Sequence, residues 1–180
     1  MSTSVSPAQL VLRRLQELND ICEVKKAPKE VDIVDQVEKV LEAAFQVGVQ
    51  EYTFTPDEQH EFSSLIIDTF DDIDNAVYKI GLHFDISRGP YNLCLRSGLQ
   101  FIQDGLGGLK LEKVLGKEKN SALIDSVKTF DEGIKNWKDC GVVTDEDIVH
   151  SYEDLCRPRG VPTSHTWWWY SETDTDSLMI

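Results

Sequence analysis

The sequence predicts an all-α fold, a single-domain bundle of about five to seven helices. Three observations predict it. Apolar residues recur at helical spacing in several separate stretches, two of those stretches begin with a cap residue followed by proline, and glycines sit where the stretches end. Strand-like alternation is confined to Tyr52-Thr53-Phe54-Thr55, and four residues make no sheet without a partner. With 180 residues and 41% hydrophobic content the chain suits one core and hardly two. The expected organisation is a flexible N-terminus over 1–5, a helical domain over 6–170 and an acidic flexible tail over 171–180.

Ser6-Pro7-Ala8-Gln9 reads as a capping box with proline at the first helical position, and Val11, Leu15, Leu18 and Cys22 continue it to about Glu23. After Lys25-Lys26-Ala27-Pro28, the residues Ile33, Val37, Val40, Leu41, Ala44 and Phe45 form a second stripe, with Gly48 as its expected left-handed cap. Thr55-Pro56-Asp57-Glu58 repeats the box and opens a third helix through Phe62, Ile66, Phe70, Ile73, Val77 and Ile80 to Gly81. Ser87 to Pro90 reads as a turn, and Leu95, Leu99, Ile102 and Leu106 mark a fourth helix bent or ended by Gly105, Gly107 and Gly108. A short piece over Lys110 to Lys117 follows. Leu123, Val127, Phe130, Ile134 and Trp137 define a further helix from Ser121 to Gly141, and Thr144 caps a last one through Ile148, Tyr152 and Leu155. Pro158, Gly160 and Pro162 make Arg157 to Ser164 a loop. The expected core gathers Phe62, Ile66, Phe70, Ile73, Val127, Phe130, Ile134 and Trp137.

Charge excludes some functions. Eighteen basic against 32 acidic side chains give a formal net charge of -14, a field that opposes the polyanionic backbone of DNA or RNA and favours a protein partner with a basic surface. No apolar run approaches the ~20 residues of a spanning helix, and no signal-like stretch opens the chain. The four cysteines are widely spaced with no CxxC pair, which suits a reducing cytoplasm.

Chemistry-bearing patterns are few. Asp71-Asp72-Ile73-Asp74-Asn75 has Asn75 where an Asp-rich DDxxD magnesium motif needs an acid, and it lacks the alternation of a calcium loop, so it reads as a solvated helix face. The Asp57/His60 and Asp147/His150 pairs fall in first helical turns, where the helix dipole already favours acids. Gly105 to Lys119 lacks phosphate-loop spacing, and Cys140 and Cys156 lie in no nucleophile motif. No metal and no cofactor is expected.

The most unusual feature is His165-Thr166-Trp167-Trp168-Trp169-Tyr170, which holds three of the four tryptophans. Each indole can bury about 150 to 250 Å² and wants a partner for its N–H, so the run is either a strap sealing the helices or a binding surface. Its residues His165, Trp167, Trp168, Trp169 and Tyr170 are the candidate binding residues. A minimal two-stranded pairing of 52–55 with 167–170 is the one β element the sequence allows. The functional expectation is a non-catalytic acidic helical protein-interaction module, an adaptor, inhibitor or assembly subunit. The alternative is a small helical enzyme or small-molecule binder whose pocket is closed by Trp167 to Tyr170, with His165 and His150 or the Asp71-Asp72 pair as polar groups.

Overall fold

The computed structural model describes residues 5–24, 29–137 and 158–168. Six α-helices form among them: α1 (Pro7–Val24), α2 (Glu30–Gly48), α3 (Pro56–Leu82), α4 (Gly89–Asp104), α5 (Leu111–Leu115) and α6 (Lys117–Trp137). A 3₁₀ turn (Ile86–Arg88) precedes α4, and another (Thr166–Trp168) ends the described chain. The all-α expectation holds. No strand forms among the described residues, so Tyr52–Thr55 gains no partner there: 166–168 coil into a 3₁₀ turn that spends its polar groups elsewhere.

Helix α3 is the axis of the bundle, contacting α1, α2 and α6, while α2 packs on α1 and α4. All eight residues of the expected core are buried, joined by Leu12, Leu15, Leu18, Leu41, Leu95 and Leu99. At about 25 cal/mol per Å² of apolar surface removed from water, this shared interior is the main stabilising term. Gly98 explains how closely α4 lies on α2, since a Cβ there would sit 1.9 Å from the Leu41 carbonyl oxygen.

The start of α3 is as expected, with the Thr55 hydroxyl accepting from the Glu58 amide and the Glu58 carboxylate accepting from the Thr55 amide. Glu58 does more than close the box. It is buried, and it also accepts from the Ser6 hydroxyl at 2.5 Å and the Tyr52 hydroxyl at 3.2 Å. The Ser6 side chain thus serves α3 and not its own helix, whose first turn closes through the Ser6 carbonyl and the Gln9 amide. Burial works to raise the Glu58 carboxyl, but the bonds from Ser6, Thr55 and Tyr52 together hold it below the usual carboxylate range.

The end of α2 and the start of α6 differ from expectation, and the end of α4 matches it. Gly48 is the last helical residue of α2 and no left-handed cap; a Cβ on it would meet the Phe101 ring at 2.3 Å, so packing explains its small size. Gly105 is the left-handed cap, with φ of 112°, and it ends α4 cleanly. Helix α6 starts at Lys117, four residues before Ser121, because the turn at Gly116 feeds directly into it. Outside the described residues lie Gly141, the expected helix over 144–155, Cys140, Cys156, the Asp147/His150 pair, Trp169, Tyr170 and the tail 171–180.

Candidate functional site: a tryptophan clasp on Ser97

The segment 158–168 reaches the helices through successive turns. Gly160 takes φ of 94° and brings its backbone against the Val49 carbonyl, where a Cβ would sit 2.4 Å from that oxygen. The Val161, His165 and Trp168 amides then donate to Pro158, Pro162 and His165 carbonyls. This coiling sets His165, Trp167 and Trp168 on one side, where an extended chain would have sent the two neighbouring indoles to opposite sides.

They converge on one atom of α4. The Trp168 indole N–H donates to the Ser97 hydroxyl oxygen at 2.7 Å and the Trp167 N–H donates to it at 3.0 Å. His165 Nδ1 stands 3.0 Å from the same oxygen. A serine hydroxyl has two lone pairs and one proton. With both lone pairs taken by indoles, the proton must go to Nδ1, which makes Nδ1 the acceptor and places the imidazole hydrogen on Nε2. His165 is fully buried, and Nε2 has no hydrogen-bond partner among the described residues. Burial pushes the imidazole down to about 4; Asp104 works to raise it and Arg96 to lower it further.

Aromatic and cationic contacts complete the clasp. His165 stacks on Trp167 and meets Phe101 edge-on, both at 4.8 Å between ring centres, and Trp168 stacks on Phe45 of α2 at 6.4 Å. Ser97 and Phe101 share a face because they are four residues apart on α4. Arg96 lies 4.1 Å above the Trp167 ring while its Nε donates to Asp131 of α6 at 2.6 Å. One cation therefore ties α4, α6 and the clasp together.

A serine, a histidine and nearby carboxylates form a catalytic constellation only if the hydroxyl is reachable and its oxygen has a lone pair to attack with. Ser97 is fully buried and both its lone pairs already accept. His165, held well below neutral, is a poor base. The arrangement is built to hold, not to react.

The other candidates stay apart. Asp57, on the first turn of α3, and His60, just after it, are both exposed. Asp74 accepts from the Ser126 hydroxyl at 2.7 Å, tying α3 to α6, and Asp71 and Asn75 are exposed. No group of three or more metal-ligating side chains gathers among the described residues. Burial and a hydrogen bond to Asp72 push the Cys22 thiol up to about 11, far from a reactive thiolate. No helix among the described residues is long and apolar enough to cross a membrane.

Sequence reading found the aromatic run but missed its receptor: Ser97, Arg96, Phe101 and Phe45. The one local signal was Ser97-Gly98 in mid-helix, two weak helix formers side by side, which marks a place where another chain segment comes close. No protein-family model, no curated protein and no solved structure matches the chain.

Proposed function

We propose that this protein is a non-catalytic, acidic helical interaction module of the cytoplasm that binds a protein partner with a basic surface, as an adaptor, an inhibitor or a subunit of an assembly. The observation that carries the reading is the saturation of Ser97. The grouping richest in chemically capable residues, His165 with two indoles and a serine, is packed shut and spends its hydrogen bonds on itself. Among the described residues, what is left for recognition is the outer surface of the helices, and a chain of net charge -14 draws basic partners and repels nucleic acid.

The test is affinity capture on the full chain from source-cell lysate at low and high salt, with native mass spectrometry of the protein purified from the same source. The reading expects a stoichiometric protein that is retained at low ionic strength and released as salt screens the contact. A bound small molecule in the native spectrum, with no protein retained, would replace it by the small-molecule alternative.

A further inference from the structure

A groove lies between the first turns of α2, the end of α3 and the 3₁₀ turn before α4, enclosing about 210 Å³. Its apolar part is Val31, Val34 and Ile80. Val31 is 66% exposed, although it sits on a helix whose other apolar residues are mostly covered. The volume is below the roughly 300 to 1,000 Å³ of small-molecule sites, and it suits a single aliphatic side chain.

The polar lining is unbalanced. Four carboxylates, those of Glu30, Asp35, Glu38 and Asp85, face two permanent cations, Lys79 and Arg88. Each cation is already committed. Lys79 pairs with Glu30, and Arg88 makes two bonds to Glu38, at 3.0 and 2.8 Å. Asp35 is exposed and makes no ion pair among the described residues. Asp85 accepts from the Ser87 amide and hydroxyl through Oδ1 alone, so Oδ2 keeps its acceptor capacity. Asp35 has no cation among the described residues and Asp85 shares Arg88 with Glu38, so the lining keeps an excess of two negative charges beside an apolar slot of one side chain's size, which complements one kind of ligand.

We infer that this groove docks a protein segment in which an aliphatic side chain is flanked by lysine or arginine. The aliphatic group enters between Val31, Val34 and Ile80, and the flanking cations meet Asp35 and Asp85. The mode is a small apolar anchor with a charged rim that sets partner choice and encounter rate. This rests on the interaction-module reading and names the place and chemistry of its partner.

The probe is an acetylated and amidated peptide, Gly-Arg-Leu-Lys-Gly, titrated into the isotopically labelled full chain at low salt and followed by amide NMR shifts. Two control peptides replace the leucine by glycine or the basic residues by glutamate. Saturable shifts at Val31, Asp35 and Asp85, absent with both controls and weakened at least about fivefold by Asp35→Lys, are expected. Asp35 is exposed and unpaired, so that variant should fold; Val31→Asp at the exposed lip is the second variant and should abolish the shifts. Equal shifts with the glycine peptide would reduce the groove to diffuse electrostatics and overturn the inference. So would groove shifts on simple dilution, which would make a second copy of this chain the occupant. Capture repeated with Asp35→Lys separates the two readings: a partner held with unchanged affinity removes the groove and leaves the module standing, whereas no partner for either chain removes the module itself.

Discussion

Two outlying segments of the described chain are stapled to this bundle by single buried polar groups, and the two staples differ in kind. At the first the Glu58 carboxylate collects Ser6, Tyr52 and the Thr55 amide. At the other the Ser97 hydroxyl collects Trp167, Trp168 and His165. The first is a charge whose neutral donors are hydroxyls and a backbone amide; the second is a neutral group ringed by aromatic nitrogens. A carboxylate has spare acceptor sites and tolerates the loss of one donor. A hydroxyl with every site used does not, so the clasp should be the more brittle of the two.

The largest test of that contrast is Ser97→Ala. It strands the buried Trp168 N–H and His165 Nδ1 together, whereas half-buried Trp167 can turn to water. At 1 to 3 kcal/mol for each stranded group, unfolding in urea should show a loss of about 4 kcal/mol. A loss under about 1 kcal/mol would mean that ring packing alone holds the segment and that the hydroxyl is incidental.

Acid should separate the staples. His165 falls from an ordinary 6.5 to about 4 on folding. Between those values the unfolded chain takes up a proton that the folded chain refuses, so stability rises with pH through this window and falls as pH drops from 6.5 towards 4, by at most about 3 kcal/mol. The structural reason is direct: a proton on Nδ1 faces the Ser97 proton, and one indole must lose its acceptor for the hydroxyl to turn. Glu58 is depressed instead, so its contribution is complete above the unfolded carboxyl value and is lost as pH falls below the usual carboxylate range. Stability in urea should therefore already fall between pH 6.5 and the carboxylate range, before Glu58 contributes any change. A stability that stays flat across that upper window and drops only in the carboxylate range would show a single acid transition and erase the distinction. The His165→Phe variant should lose the upper window and keep the lower one.

Glu58→Gln comes next in size. The shape is kept, but an amide offers one acceptor oxygen where the carboxylate offered two, and its NH₂ faces donors from Ser6 or Thr55. About 2 kcal/mol should be lost in the same urea assay, with the tryptophan signals of the clasp unchanged before the main transition. Early loss of those signals would show that the two staples are coupled through α3 and α2 instead of independent.

What sequence reading could reach follows from range. The cap of α3 is written within four residues, and its apolar stripe repeats every turn, so Thr55 to Ile80 was legible without any knowledge of the rest. The buried set Phe62, Ile66, Phe70 and Phe130 followed from the same periodicity. Gly48 misled because a glycine at a helix end has two causes, a left-handed turn or a neighbour that leaves no room, and only the Phe101 ring tells them apart. The clasp was legible as a need for indole partners and for burial, but its partner is 68 residues away from His165, and no local pattern carries that distance. Ser97 looks like any helical serine until a strap arrives over it. The α2–α3 groove was hidden for the same reason: Ile80 is an ordinary member of the α3 stripe, Val31 lies outside the α2 stripe, and the excess of carboxylates exists only where the two helices meet.

Asp131→Asn should have the smallest effect, and its size decides how far the clasp depends on charge. Arg96 is almost wholly buried and Asp131 is about half exposed. Removing the partner of a buried cation ordinarily costs several kcal/mol, because the cation is left without compensation. Here the guanidinium keeps its contact with Gln100 at 3.1 Å and with the face of Trp167, and the new amide oxygen can still accept from Nε. The part lost is Coulomb energy with a half-exposed carboxylate, which water and salt already weaken, so under about 1 kcal/mol is expected and added salt should shrink it further. A loss above about 2 kcal/mol that persists in salt would show that Arg96 and Asp131, not the Ser97 hydroxyl, set the geometry of the tryptophans. Both staples would then hold by charge, and the clasp would belong with Glu58 instead of standing against it.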